Sequence, residues 1–266
     1  MEAHLISPDL VEHAETGAAL IRGDEKISIM MNEEDHLRIQ GISAGENLAE
    51  SAENAFAIDD ALQAQLSFAF DAQWGYLTAC PTNTGTGMRA SVMLHLPMLT
   101  LLKQMGKVNQ LAAKLGLTIR GIYGEGSEAQ GNLYQLSNQV TLGRTEKEIM
   151  DAVSVTARQI AEMERVFRQK AMDKDMIAFE DPLFRSWGLL CNARRMPIKE
   201  FMAHWSNLRM GAAMEKLPVS LEVCDRLLTE AQPAHVQRSS GAVLNEKEAD
   251  VRRSVIIREA INGGTV

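Results

Sequence analysis

Apolar and polar residues alternate along much of residues 17–142, with glycines interrupting the pattern. The alternation is clearest in four runs, at residues 26–31, 36–40, 89–96 and 117–120. A period of two residues is typical of strands that bury one face. We therefore predict a β-sheet in this part of the chain.

Helical spacing of apolar residues interleaves with these strands and dominates after residue 145. Residues 52–70 and 99–115 repeat at helical intervals, and Gly116 is placed to end the second helix. Thr145 and Glu148 have the spacing of a capping box at a helix start. Further helices are predicted at residues 183–193, 198–210, 219–231 and 246–261.

These patterns predict an α+β fold, in which an antiparallel β-sheet flanked by helices precedes a smaller all-helical C-terminal domain. The charge-rich stretch KAMDKD, at residues 170–175, is the predicted boundary. The first domain then covers residues 1–172 and the second covers residues 173–266.

Composition excludes several classes of protein. Of the 266 residues, 45% are hydrophobic, which is typical of a folded chain. The net charge of −8 argues against direct nucleic-acid binding, which depends on clustered Lys and Arg. No apolar run is long enough to cross a membrane, and the N-terminus has no secretory signal, so the expected location is the cytoplasm. Cys80, Cys191 and Cys224 are too dispersed for structural zinc or a disulfide framework, and we predict no metal-ligating residues.

Three arginines are candidates for binding phosphate groups. Arg38, Arg89 and Arg120 each lie in a strand-like run, opposite its apolar face. If the strands share a sheet, the three guanidinium groups can converge on one surface and fork onto phosphate oxygens. The alternative is a solvated strand face with ordinary ion pairs.

Carboxylates precede Arg38 in the stretch NEEDH, at residues 32–36. Adjacent carboxylates point in opposite directions on an extended backbone. Glu34 lies an even number of residues from Arg38, so a continuous strand would place both on one side. The alternative is an acidic turn.

A second carboxylate, Glu125, lies between two glycines in GIYGEGSEAQGN, at residues 121–132. This stretch fits the dinucleotide-binding fingerprint only loosely, because no amphipathic helix follows it and the chain has no βαβ series. No P-loop is present. Glu125 is therefore either a functional carboxylate or an ordinary loop-tip residue. Cys80 is likewise either a site residue or a small hydrophobic one.

Three stretches together resemble the guanidino-phosphotransferases, or phosphagen kinases. They are NEEDHLRI at residues 32–39, CPTNTGTGMRASV at residues 80–92 and RGIYGEGSEA at residues 120–129. The variants RASVMLHLP, RGIYGEGSEAQGN and SNQVTLG resemble the branch that phosphorylates arginine residues of proteins. RSWGLLCNARR and TEAQPAHVQ resemble the C-terminal domain of that branch.

The resemblance implies ATP-dependent phosphorylation of protein arginines, with ATP and Mg²⁺ at a phosphagen-kinase catalytic domain. Glu34 is then the base, Glu125 the second carboxylate that clamps the guanidinium, and Cys80 a neighbour of the same group. Arg38, Arg89 and Arg120 hold the phosphates, and His4 contacts the nucleotide. The remaining residues implied in ATP binding are Ala90, Ser91, Val92, Met93, Gly121, Ile122, Tyr123 and Gly124.

The sequence departs from the family pattern in two places. No S-x-R-x-R motif is present, so we expect the N-terminal phosphate-binding segment to be missing and the activity to be impaired. The regulatory RDxxRA motif, implied to bind phosphoarginine, reads ADVRRS at residues 249–254 and keeps Asp250 and Arg253.

The resemblance also implies partners. These are protein substrates with exposed arginines, among them a stress-response repressor and degradation targets, together with an activator protein and a second copy of the chain in a homodimer. The departures from the family pattern also allow a second hypothesis, in which the chain is a non-catalytic remnant that binds nucleotide or substrate as a scaffold. A kinase of free arginine is the third hypothesis.

Overall fold

The computed structural model describes Glu2, residues 4–121 and residues 129–263. These residues form ten α-helices, eight strands and two short 3₁₀ helices, the latter at Pro81–Asn83 and Gln130–Asn132. The α-helices are α1 (Pro8–Glu12), α2 (Leu48–Gln63), α3 (Pro97–Leu101), α4 (Met105–Lys114), α5 (Glu146–Lys174), α6 (Met176–Asn192), α7 (Ile198–Ala213), α8 (Leu221–Glu230), α9 (Pro233–Ser240) and α10 (Glu246–Gly263). The strands are β1 (Ala18–Ile21), β2 (Ile27–Met31), β3 (Leu37–Gly41), β4 (Phe70–Asp71), β5 (Gly75–Tyr76), β6 (Ser91–His95), β7 (Leu117–Gly121) and β8 (Leu133–Asn138).

The chain divides into two compact units, each assembled from three segments. Unit 1 comprises Met1–Met93, Lys107–Ile119 and Gln135–Gln159, and unit 2 comprises Leu94–Gly106, Arg120–Tyr134 and Ile160–Val266. One three-stranded sheet has the strand order β6-β8-β7. The consecutive domains predicted from the sequence, 1–172 and 173–266, stay a prediction.

Unit 1 contains an antiparallel sheet with the order β1-β2-β3. Ile29 of β2 lies opposite Leu20 of β1 and Ile39 of β3, and the neighbouring Met30 is fully buried. Helix α2 packs against β3 so closely that a Cβ atom on Gly41 would lie 2.1 Å from the Ser51 carbonyl oxygen. This sheet positions the hairpin loop that carries Glu34.

The strands predicted by alternation are confirmed, but two predicted helices differ from the structure. Helix α2 ends at Gln63, and Phe70 lies in β4, where its ring packs edge-on against Tyr76 with centroids 5.3 Å apart. Residues 99–115 divide into α3 and α4 because Lys103 adopts a φ of 55°, which a helix does not accommodate. Gly116 ends α4 with a φ of 70°, as predicted.

Unit 2 buries a hydrophobic cluster centred on α7. Trp205 and Phe201 of this helix are both fully buried, and the Trp205 indole N–H donates to the Cys224 carbonyl at 2.7 Å. Other buried members are Leu183 and Leu190 of α6, Leu227 of α8, Ile257 of α10, and Met196 of the segment between α6 and α7. Every described element after residue 145 is a helix, as the sequence predicts, so the α+β class is confirmed.

Helix α5 begins with the predicted capping box. The Glu148 backbone N–H donates to the Thr145 hydroxyl at 3.2 Å, and the Thr145 backbone N–H donates to the Glu148 carboxylate at 2.8 Å. None of the helices formed by the described residues is both long and apolar enough to cross a membrane.

Candidate active site

The β2–β3 hairpin presents three consecutive carboxylates at its tip. Met31 pairs with Leu37, and the Asn32 backbone N–H donates to the His36 carbonyl at 3.1 Å, which closes the five-residue loop 32–36. The loop holds Glu33, Glu34 and Asp35. The tight loop interrupts the strand considered for this stretch, so residues 32–36 form an acidic turn, and the role of Glu34 stays a prediction.

Glu33, and not Glu34, is the carboxylate that pairs with Arg38. Its side chain is 2% exposed, and both carboxylate oxygens accept from Arg38 Nη1, at 2.9 and 3.0 Å. Burial raises the pKa of Glu33, but hydrogen bonds from Ser7 and Arg38 outweigh burial, so that pKa lies below its usual range. The loop interrupts the strand on which Glu34 and Arg38 were expected to share a side, so the alternation argument does not apply to them.

Glu34 and Asp35 instead contact the segment that carries Cys80. The Asp35 carboxylate accepts a hydrogen bond from the Ala79 backbone N–H at 2.6 Å. The Glu34 carboxylate accepts one from the Asn83 side-chain amide at 3.2 Å. These two bonds bring Glu34 and Cys80, two of the predicted catalytic residues, into neighbouring loops of unit 1.

Cys80 immediately precedes the 3₁₀ helix Pro81–Asn83. It is a free cysteine of intermediate exposure, and its Sγ lies 3.0 Å from the Thr82 hydroxyl. Cys80 is therefore partly exposed, and the Thr82 hydroxyl is a polar neighbour of its sulfur.

The glycines after Cys80 permit a close crossing of backbones. Gly85 has a φ of 114°, and a Cβ atom there would lie 2.6 Å from the Thr141 carbonyl oxygen. A Cβ on Gly75 would lie 2.3 Å from the Gly85 carbonyl oxygen. The Thr141 hydroxyl completes the crossing with bonds to the carbonyls of Thr82 and Thr84, at 2.9 and 2.8 Å.

Arg89 lies just outside β6, which begins at Ser91, so its predicted place within a strand is wrong. The Ala90 N–H donates to the Asn138 side-chain carbonyl at 2.8 Å, which replaces the regular bond to a neighbouring strand. The Asn138 amide donates in turn to the Met88 carbonyl at 3.1 Å. Asn138 thereby holds the backbone on both sides of Arg89, whose exposed side chain donates to Ser137 at 3.2 Å.

The structure also locates most of the other residues that were predicted to bind the nucleotide. Ser91 of β6 accepts from the Gln135 amide at 2.9 Å, Val92 is half-buried and Met93 is exposed. His4 is exposed, and its carbonyl accepts from the Gln40 amide. Arg120 and Gly121 end β7 in unit 2. Ile122, Tyr123, Gly124 and Glu125 lie outside the described residues.

Convergence of the three arginines stays a prediction. Arg38 and Arg89 belong to unit 1, and Arg120 belongs to unit 2. Asp35, Asn83, Asn138 and Thr141 are contributors that the sequence did not single out. Asn138 and Thr141 lie in SNQVTLG, a stretch that carried the resemblance without an assigned role.

Asp250 and Arg253 of α10 are buried and paired with each other. Arg253 Nη1 donates to Asp250 at 2.8 Å and to the Met196 carbonyl at 2.8 Å, and Arg253 Nε donates to the Ala231 carbonyl at 2.7 Å. These bonds connect α10 to the segment that precedes α7 and to the residue that follows α8. Phosphoarginine binding by this pair stays a prediction.

No group of three or more His, Cys, Asp or Glu side chains within the described ranges is arranged to hold a metal ion. Mg²⁺ that enters a nucleotide site together with ATP does not require a cage made of protein ligands alone, because phosphate oxygens and water supply much of its coordination.

Comparison with known families identifies the class. Residues 1–167 match the family model of the ATP:guanido phosphotransferase C-terminal catalytic domain. The chain belongs to the ATP:guanido phosphotransferase family, whose phosphoryl donor is ATP. Residues 176–264 match the model described as the protein-arginine kinase McsB C-terminal domain.

Individual relatives indicate the branch of the family to which this chain is most similar among those compared. The protein-arginine kinase of Caldanaerobacter subterraneus subsp. tengcongensis is 47% identical over 262 residues, which cover 98% of this chain and 78% of that protein. The protein-arginine kinase of Brevibacillus brevis is 48% identical, with 98% and 73% covered. The chain thus groups with protein-arginine kinases, which confirms the resemblance seen in its motifs.

Solved structures support the fold. Lombricine kinase superposes with a TM-score of 0.53 at 24% identity, over 63% of this chain and 50% of that one. The duplicated taurocyamine kinase from Schistosoma mansoni, with bound transition state analog components, gives a TM-score of 0.52 at 26% identity. That match covers 79% of this chain and 27% of the kinase, so the chain spans at most half of either structure.

Proposed function

We propose that this chain transfers the γ-phosphoryl group of Mg·ATP to arginine side chains of proteins. A bond forms between a guanidinium nitrogen and the γ-phosphorus, and the bond from that phosphorus to the bridging oxygen of ADP breaks. The nitrogen must also lose a proton, and a guanidinium with a pKa above about 12 does not release it unaided. A carboxylate that orients the nitrogen and accepts the proton is therefore needed.

The observation that carries this proposal is the contact between the Glu34 loop and the Cys80 segment. Two hydrogen bonds, Asp35 to Ala79 and Glu34 to Asn83, join these loops although they are far apart in the sequence. Glu34 is exposed and Cys80 is half-buried, so a guanidinium can approach both. In this proposal Glu34 takes the proton, Cys80 contacts the guanidinium, and Glu125 supplies the second carboxylate.

Phosphate binding is assigned to the three arginines. Transfer of a phosphoryl group depends mainly on positioning and on charge stabilisation. Arg89 suits this role because Asn138 fixes its backbone while its side chain remains exposed. Arg38 and Arg120 complete the set, with Mg²⁺ bound to the phosphates as part of the substrate.

The test is a kinase assay with matched variants. Wild type is incubated with Mg·ATP and an arginine-rich protein, and acid-labile phosphoarginine is measured by mass spectrometry at neutral pH. We expect Glu34→Gln to lower kcat by at least about a hundredfold, since general-base catalysis contributes on the order of 10² to 10⁴. Glu53→Gln is the control, because Glu53 is an exposed carboxylate on α2 away from the loop contact.

The same assay separates the alternatives. Phosphorylation of free arginine in preference to protein would favour a small-molecule kinase. Binding of Mg·ATP in a calorimeter without phosphoarginine formation would favour the scaffolding role and contradict the proposal. Equal activity of wild type and Glu34→Gln would contradict the assignment of the base.

The proposed partners follow the same reaction. They are proteins with exposed arginines, including a stress-response repressor and degradation targets, and an activator protein. We also propose a homodimer. Analytical ultracentrifugation over a range of concentrations tests the dimer, and a single species with the mass of one chain would contradict it.

A further inference from the structure

The carboxylate of Glu34 is held by a side chain from another segment of unit 1. Its Oε2 accepts from the Asn83 side-chain amide at 3.2 Å, across 49 residues of sequence. Glu34 is exposed and Asn83 is half-buried. An exposed glutamate samples several rotamers unless a partner selects one. The place of the Asn83 amide therefore decides where the Glu34 carboxylate lies.

Asn83 ends a short turn at residues 80–84. Its backbone N–H donates to the Cys80 carbonyl at 3.0 Å. The Thr84 N–H donates to the Pro81 carbonyl at 3.3 Å. These bonds belong to a 3₁₀ helix of three residues, which is too short to be stable by itself. The position of this turn therefore depends on its contacts with the rest of unit 1.

Thr141 supplies such contacts. Its hydroxyl donates to the carbonyls of Thr82 and Thr84, at 2.9 and 2.8 Å, and its own carbonyl accepts from the Thr86 N–H at 3.3 Å. Thr141 is 5% exposed, so water does not readily replace these bonds. The two acceptors flank Asn83 in the sequence. One buried hydroxyl thus fixes the backbone from which Asn83 reaches Glu34.

We propose that Thr141 is a positioning residue for the Glu34 carboxylate and acts through Asn83. The inference rests on the proposed function, in which Glu34 takes the proton from a protein arginine. Thr141 is buried, so it acts on the reaction through the turn and not by touching a substrate. Asn138 holds the backbone beside Arg89 at the other end of the same loop. The two residues therefore serve different sides of the reaction, the base for Thr141 and the phosphates for Asn138.

The chain offers a matched control for Thr141. Thr141→Val removes the hydroxyl at nearly constant volume, and Thr141→Ser keeps it. Thr156 of α5 is also buried, at 0% exposure, and among the described residues its hydroxyl has no hydrogen-bond partner. Thr156→Val therefore makes the same substitution in a buried position of unit 1 without breaking a bond.

Steady-state kinetics test the role directly. We expect Thr141→Val to lower kcat for a protein-arginine substrate by about tenfold to a hundredfold, because small misplacements of a catalytic group have effects of that size. The KM for Mg·ATP stays unchanged, Thr141→Ser restores activity, and Thr156→Val keeps wild-type kinetics. Equal losses in Thr141→Val and Thr156→Val, or a raised KM for Mg·ATP with an unchanged kcat, would overturn the proposal.

A kinetic double-mutant cycle tests the route through Asn83. Asn83→Ala removes the amide that contacts Glu34 and should lower kcat by a similar factor. If Thr141 acts through Asn83, adding Thr141→Val to Asn83→Ala causes little further loss, so the two effects are not additive. Additive effects on kcat would show that Thr141 does not act through Asn83 and would overturn the proposal.

Hydrogen exchange provides a readout that does not need activity. The amides of Asn83 and Thr84 should exchange faster in Thr141→Val than in wild type, and in Thr156→Val they should not. Thr141→Cys, whose thiol is a weaker donor, serves if Thr141→Val fails to fold, and it should also accelerate this exchange. Unchanged exchange overturns the anchor. Accelerated exchange supports the anchor whether or not the wild type is active, whereas an inactive wild type contradicts only the proposed function.

Discussion

The carboxylate of Asp35 and the backbone N–H of Ala79 form a hydrogen bond of 2.6 Å across 44 residues of sequence. This bond fixes the distance between the loop of the proposed base and the segment of the half-buried thiol. It makes Asp35, a residue with no assigned chemistry, a determinant of the site geometry.

Asp35→Ala should therefore reduce activity more than stability. We expect kcat/KM for a protein-arginine substrate to fall by about tenfold to a hundredfold, while the free energy of unfolding falls by about 0.5–1.5 kcal/mol. Kinetics and urea denaturation measure the two effects. The control is Asp60→Ala, at an exposed position of α2, and equal kinetics in the two variants would contradict the prediction.

Asn138→Ala should weaken both the fold and nucleotide binding. It leaves the N–H of Ala90, a residue 5% exposed, without its partner, which costs about 1–3 kcal/mol. Because Asn138 holds the backbone around Arg89, the KM for Mg·ATP should rise. Asn138→Asp retains the acceptor for Ala90 but loses the donor to Met88, so its stability should be intermediate. An unchanged KM for Mg·ATP in both variants would argue against a role for Arg89 at the phosphates.

Acidification should destabilise the protein through His95. Burial, and then the charges of Arg209 and Arg168, hold the pKa of His95 well below 6.5. The unfolded chain binds a proton as the pH falls through 6.5, but the folded protein does not, so stability present above that pH is lost below it.

Thermal unfolding between pH 7.5 and pH 5 measures this effect. The loss should approach about 1.4 kcal/mol per pH unit below the unfolded pKa. His95→Gln should have a shallower slope in this window, and an identical slope would show that His95 does not cause it. Glu33, whose pKa is lowered, acts separately, since its contribution is lost only as the pH falls below about 4.5.

Removing one member of the Asp250–Arg253 pair should be strongly destabilising. Among the described residues, Arg253→Met leaves the buried Asp250 carboxylate with Arg195, at 3.3 Å, as its one charged partner. We expect a loss of about 3–5 kcal/mol. The double variant Arg253→Met/Asp250→Leu should recover much of it, because no unpaired charge remains buried. A denaturation double-mutant cycle measures the coupling, and additive losses would contradict a structural pair.

Local patterns predicted the elements well. Alternation located β2, β3, β6 and β7, although in β2 the side chains of Ser28 and Met30 are fully buried and those of Ile29 and Met31 are half-buried. The Thr145 capping box located the start of α5. The spacing of Phe70 continues that of α2 and predicts a helix, whereas the packing of Phe70 against Tyr76 places it in a hairpin. Periodicity alone does not distinguish these two outcomes.

The details of the site depend on contacts between distant segments. Whether Glu33 or Glu34 meets Arg38 depends on the five-residue loop, and the loop depends on how the hairpin closes. The bonds from Asp35 to Ala79 and from Thr141 to Thr82 join residues 44 and 59 positions apart. No spacing rule predicts them, although the family resemblance indicated the stretches that they connect.

The crossing of Gly75, Gly85 and Thr141 has a consequence for protein engineering. Both glycines would be intolerant in a saturation library, since any side chain at either position meets backbone atoms less than 3 Å away. A conventional analysis of such a library would score them as ligand contacts. Their intolerance instead reflects crowding of the main chain, and a redesign of substrate preference should leave this crossing untouched and vary the exposed side chains beside it.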